Sequence, residues 1–132
     1  MDDKMLSEIG KKKNLKNKEH IEKDYFQDIL LYKLFSKSND LVFKGGTALY
    51  KIYNLPRFSE DLDFSILHET DAEKTIMDIA KSVGDVEFRK TPDSLLFKIK
   101  FKGILTRYNT IRIDVSTKNK ILAGFDVKNY VA

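Results

Sequence analysis

The sequence predicts an α+β domain in which a mixed or antiparallel sheet packs against helices. Two observations carry this. Apolar residues in the first part of the chain recur at three- and four-residue steps, then alternate strictly in the segment after Gly84. Helical patterns therefore come first and strand patterns later, rather than alternating as in a doubly wound fold. A third observation bounds the answer: 132 residues can bury one core and are too few for two domains.

The elements follow in order. Residues 1–18 contain the basic run KKKNLKNK, where Lys11, Lys12, Lys13, Lys16 and Lys18 supply five positive charges. This run reads as a solvated, mobile segment, or as a strip able to lean on a phosphate backbone. Residues 18–36 form an amphipathic helix, with Ile21, Tyr25, Phe26, Ile29, Leu30 and Leu34 inward and Glu22, Lys23 and Lys33 among the polar positions. Leu41-Val42-Phe43 is a short buried strand that Gly45-Gly46 ends, and Thr47 is the expected N-cap of a short helix to Tyr53. Asn54 and Pro56 stop that helix. A strand is expected at about 60–66, then a helix over 71–83 opened by a Thr70–Glu73 capping box. Val86 and Phe88 mark the next strand. Leu95 to Phe101 and Ile111 to Val115 form two more, each with one wet face, and Gly103 to Asn109 turns between them. The terminal ILAGFDVKNYVA is apolar and short and receives no assignment.

Composition narrows the function classes. A 42% hydrophobic, 33% charged chain is that of a soluble globular protein, and no apolar run approaches the roughly 20 residues of a membrane span. The start MDDKMLSEIG lacks the basic-then-apolar order of a secretory leader. Without cysteine there is neither a disulfide framework nor a thiolate metal site, and His20 and His68 are too far apart for a local zinc site. The expected setting is a reduced cytoplasm. A net charge of +4 is too mild to identify a nucleic-acid-binding protein by itself. Walker A and Rossmann glycine patterns are absent, and Phe101, Tyr108, Phe125 and Tyr130 read as core or rim aromatics.

The chemistry lies in residues 43–66, FKGGTALYKIYNLPRFSEDLDFSI. A strand passes through two glycines directly into a helix, whose first N–H groups have no intrahelical partner, and this is a ready phosphate site. Asp61 and Asp63 are two apart, so on a strand they share a face while Leu62 and Phe64 point into the core. Paired carboxylates repel unless a cation lies between them, and hard oxygen ligands suit Mg²⁺. A solvated edge-strand face is the plainer explanation for an isolated pair of this kind. Asp114, however, adds a third carboxylate inside an apolar strand where Asp is disfavoured. It either joins Asp61 and Asp63 around one or two metal ions or pairs with Arg112 or Lys98 on a solvent face.

The blocks Gly45-Gly46-Thr47-Ala48-Leu49 and Arg57-Phe58-Ser59-Glu60-Asp61-Leu62-Asp63-Phe64 resemble the signature of AbiEii/AbiGii-type nucleotidyltransferases, many of them toxins of type IV toxin–antitoxin systems. The resemblance is close over residues 40–66 and looser over 95–116. It implies a polymerase-β-like nucleotidyltransferase core as one domain over 1–132. Gly45, Gly46, Thr47, Arg57 and Ser59 would hold the nucleotide. Asp61, Asp63 and Asp114 would be catalytic and bind Mg²⁺, or Mn²⁺ in its place. Arg57 contacts phosphate or braces the loop, or instead forms a salt bridge with Glu60 or Asp61. The implied donor is GTP or another NTP, the acceptor RNA, such as a tRNA end, or protein, and an antitoxin is the implied protein partner. Relatives usually continue into a helical C-terminal part that these residues lack. The alternative function is therefore a catalytically incomplete nucleotide- or partner-binding module, and a third is an RNA-binding domain that uses the lysine run.

Overall fold

In the computed structural model, residues 1–38, 40–66 and 71–117 are described. They form α1 (Asp3–Lys12), α2 (Lys18–Lys37), β1 (Leu41–Lys44), α3 (Gly45–Tyr53), β2 (Leu62–Ile66), α4 (Ala72–Val83), β3 (Asp85–Lys90), β4 (Ser94–Lys102) and β5 (Tyr108–Ser116). The strands make one sheet in the order β1-β2-β5-β4-β3. Among the described strands only the β2–β5 pair is parallel and the others are antiparallel, so the sheet is mixed as expected.

Alternation along the strands creates two unlike faces. Leu62, Phe64, Phe97, Ile99, Ile111 and Ile113 are almost wholly buried against Leu30 and Leu34 of α2 and Ile76 of α4. Full burial of each such side chain contributes roughly 1.5–3 kcal/mol. Intervening residues such as Lys98, Lys100 and Arg112 are exposed on the opposite side. Gly103 N–H bonds the Arg107 carbonyl at 3.1 Å, closing the β4–β5 turn.

The structure differs from expectation in four places. The basic N-terminal segment is not simply a solvated stretch. Asp3–Lys12 is a helix, capped by the Asp2 carboxylate accepting from Met5 N–H at 2.8 Å. Its Leu6 is fully buried, and Gly10 lies so close to Ile21 that any Cβ there would fall 2.6 Å from that side chain. Lys11, Lys12, Lys16 and Lys18 stay exposed, whereas Lys13 pairs with Asp24 at 2.6 Å.

Second, α3 starts at Gly45, so Thr47 lies inside the helix rather than capping it. The glycines continue directly from strand to helix because Gly45 adopts the left-handed region, φ 79°, that other residues avoid. Third, β2 begins at Leu62, which leaves Glu60 and Asp61 in the preceding loop. Fourth, α2 buries polar residues along with apolar ones: Glu22, Asp24 and Gln27 are all nearly inaccessible. The Thr70 half of the expected capping box, and the segment 121–132, lie outside the described residues.

Candidate active site

The site begins where β1 becomes α3. The first N–H groups of α3 have no intrahelical acceptors, and no side chain caps them. A Cβ on Gly45 would collide with the Asp63 carboxylate, and one on Gly46 would lie 3.0 Å from Ser59 Oγ. Glycine at both positions is what allows the turn, the carboxylate and the loop to meet. Thr47 is buried and its hydroxyl donates to the Asp61 carbonyl, so that side chain braces the loop.

Asp63 and Asp114 stand directly opposite one another across the parallel β2–β5 pair, and Lys44 stands opposite Asp63 on its other side. Partners in register project from the same face, so Lys44, Asp63 and Asp114 form one row. Burial pushes the Asp63 carboxyl above its ordinary value, and the charges of Asp114 and Asp61 push it further. Lys44 and Arg112 pull in the opposite direction without cancelling this. Lys44 Nζ also donates to Ser116 Oγ at 3.0 Å. Asp114 thus faces a carboxylate rather than forming a salt bridge with Arg112 or Lys98. Asp61 is exposed in the loop just before the strand. Its charge reaches Asp63, but among the described residues no three Asp, Glu or His side chains already close into a coordination group. The donor chemistry nonetheless fits a divalent cation: oxygen ligands only, with repulsion that a cation would relieve.

The loop of residues 54–61 is held by polar groups of α2, the buried Gln27 and the half-buried Lys23. Gln27 Nε2 donates to the carbonyls of Ser59 at 3.1 Å and Glu60 at 2.9 Å. Lys23 Nζ binds the Glu60 carboxylate at 2.8 Å, which holds that carboxyl below its ordinary value. Phe58 packs between His20 and Tyr50, with ring centroids 4.8 and 5.4 Å away. Glu60 is thereby committed to Lys23, with His20 at 3.5 Å. Arg57 is exposed and, among the described residues, makes no ion pair with Glu60 or Asp61.

Behind α3, Lys51 carries a side chain only 1% exposed and bonds Asp24 at 2.7 Å and Asp28 at 2.9 Å. Lys13 completes this network from α1. Sequence reasoning missed Lys23, Gln27, Lys44 and Lys51. Gln27 had a detectable signal, because it stands three before Leu30 and seven before Leu34, a polar residue inside the apolar stripe. Lys51 had none.

The described residues thus combine a five-stranded mixed sheet, facing aspartates on its parallel pair and a Gly-Gly turn into a helix, an arrangement shared with nucleotidyltransferase folds. The sequence profile of the family described as "Nucleotidyl transferase AbiEii toxin, Type IV TA system" matches residues 29–130. The chain belongs to that family. Among solved structures it is similar to JHP933 from Helicobacter pylori, with 23% identity, a TM-score of 0.54 and coverage of 69% of this chain and 42% of that one. A candidate nucleotidyltransferase from H. pylori matches with 23% identity and a TM-score of 0.57, over 72% of this chain and 45% of that one. A cytoplasmic RNA terminal U-transferase matches with 18% identity and a TM-score of 0.50, over 85% and 35%. At these identities the likeness establishes the fold. The chain spans less than half the length of each of these structures. No curated protein matches it. No helix among the described residues is long and apolar enough to cross a membrane.

Proposed function

We propose that the chain supplies the catalytic core of a nucleotidyltransferase toxin, which moves a nucleotide from an NTP such as GTP to a hydroxyl of RNA, for example a tRNA end, or of a protein. The observation that carries this reading is the facing pair Asp63 and Asp114, set beside the turn at Gly45. Gly45, Gly46 and the N–H of Thr47 bind the phosphates, and Ser59 and Arg57 border them from the loop. Asp61, Asp63 and Asp114 would hold Mg²⁺ or Mn²⁺, which supplies charge neutralisation for the triphosphate. Asp114 accepts the proton of the attacking hydroxyl. The oxygen of that acceptor hydroxyl forms a bond to the α-phosphorus as the bond to pyrophosphate breaks. Positioning and charge, rather than covalent chemistry, supply the rate. An antitoxin protein is the expected partner, in the cytoplasm.

Calorimetric titration of each NTP with Mg²⁺ into wild type and Asp63→Asn tests the site. Binding that requires both metal and Asp63 is expected. A folded wild type that binds no NTP would overturn it. Binding without transfer to any acceptor would favour the nucleotide-binding module instead.

A further inference from the structure

Positive charge is gathered on the open face of the sheet, away from the helices. Lys98, Lys100 and Lys102 are exposed at alternate positions of β4, so all three project from one side. Arg112 stands opposite Lys98, and Tyr108 opposite Lys102. Arg112 is two residues from Asp114 on β5, which places this ladder on the same face as the carboxylate row. Leu96 is the β4 partner of Asp114, and from there to Lys102 the strand runs six residues, about 20 Å.

Tyr108 ends the ladder. It is 55% exposed, with Lys100 Nζ 4.9 Å from the ring centroid and the Arg107 guanidinium carbon 5.8 Å away. Core packing does not explain an aromatic ring held in solvent between two cations. Acidic Asp85 and Glu87 are the β3 partners of Lys100 and Lys98, at the outer edge of the sheet. The excess charge therefore lies along the β4–β5 side that leads to Asp114.

We propose that this face is a track for single-stranded RNA, which delivers one end of the strand to the carboxylates. Lysines two residues apart on a strand match the step between successive phosphates of an extended polynucleotide. An exposed ring bracketed by cations offers a stacking platform to a base. A duplex hides its base faces and cannot use that ring, which favours a single strand. The choice of RNA, and its role as acceptor, rest on the proposed function; the track itself does not.

Fluorescence anisotropy with a short labelled oligouridylate, without NTP or metal, tests the track. Replacing all three ladder lysines (Lys98→Gln, Lys100→Gln and Lys102→Gln) should weaken binding at least about tenfold and lower the slope of log K against log salt by about 2. The Lys→Arg triple should retain binding. Tyr108→Ala should weaken binding about fivefold or more and leave the slope unchanged. Glutamine at Lys11, Lys12 and Lys16 should change little. The proposal is overturned if wild type does not bind at low salt, if a duplex binds more tightly, or if only the N-terminal lysine variant loses affinity. It is equally overturned if the ladder variant binds as wild type does, which would leave the face for an acidic protein. NTP titrations of the ladder variant should match wild type, so a failure of nucleotide binding and a failure of the track are separately visible.

Discussion

Asp63 illustrates at the scale of one residue how a site opposes the fold that carries it. Its carboxyl is raised by burial and by Asp114 and Asp61, so the folded state binds a proton more readily than the unfolded chain. Stability therefore falls as pH rises from the ordinary carboxylate value through the raised one. Asp63→Asn should have a higher melting temperature than wild type at neutral pH, with the gap closing in acid; scanning calorimetry across pH checks this. Glu22 has the opposite sign. Burial would raise its carboxyl, but bonds from the Thr106 hydroxyl, Leu105 N–H, Asn109 amide and Ile104 N–H outweigh it and lower the value. Its contribution is present above the ordinary carboxylate value and is lost as pH falls through the lowered one. Glu22→Gln cannot accept from all these donors at once and should cost about 3 kcal/mol in urea titrations.

Helix α3 is the element on which the site depends, and its propensity does not hold it in place. Nine residues are too few for a stable isolated helix. The Lys51 pairs with Asp24 and Asp28 anchor α3 to α2, while Lys13 ties α1 to the same carboxylates. Lys51→Met leaves two acids facing each other with one cation fewer and should destabilise by about 3–5 kcal/mol. Thermal unfolding checks the loss. A double variant that also carries Asp24→Leu should recover part of it, because one of the two acids left sharing Lys13 is removed. The alternation legible in β2 belongs to this scale too: Leu62 and Phe64 go inward and Asp63 outward, as the spacing predicts. What the spacing could not supply was the neighbour of Asp63, because strand pairing is non-local.

Across the whole molecule, the parallel pair β2–β5 joins residues about fifty apart, and every described strand except β1 pairs with β5 or its neighbour β4. Ile113 lies between Leu62 and Phe97 in the register, fully buried. Ile113→Ala should cost about 2–5 kcal/mol by the cavity it leaves. A drop in the urea midpoint with an unchanged slope would show that the chain still unfolds as one unit. A biphasic transition would show instead that the β1–β2 part and the β3–β4–β5 part separate.

From the sequence alone came the α+β class, the types of the described elements after Lys18, the Gly-Gly turn and the outward direction of Asp63, because periodicity and glycine are local signals. The family signature was local as well, contained in two short blocks. Tertiary structure alone decided which ambiguous residues mattered. Asp114 could have paired with Arg112, and the parallel register set it opposite Asp63 instead. Glu60 was open to Arg57 and was taken by Lys23, which precedes it by 37 residues. Thr47 looked like a cap and became a brace for the Asp61 carbonyl. In each case the outcome depended on which distant partner arrived in the folded chain, and the free energy of burying a polar group follows its partner rather than its own identity.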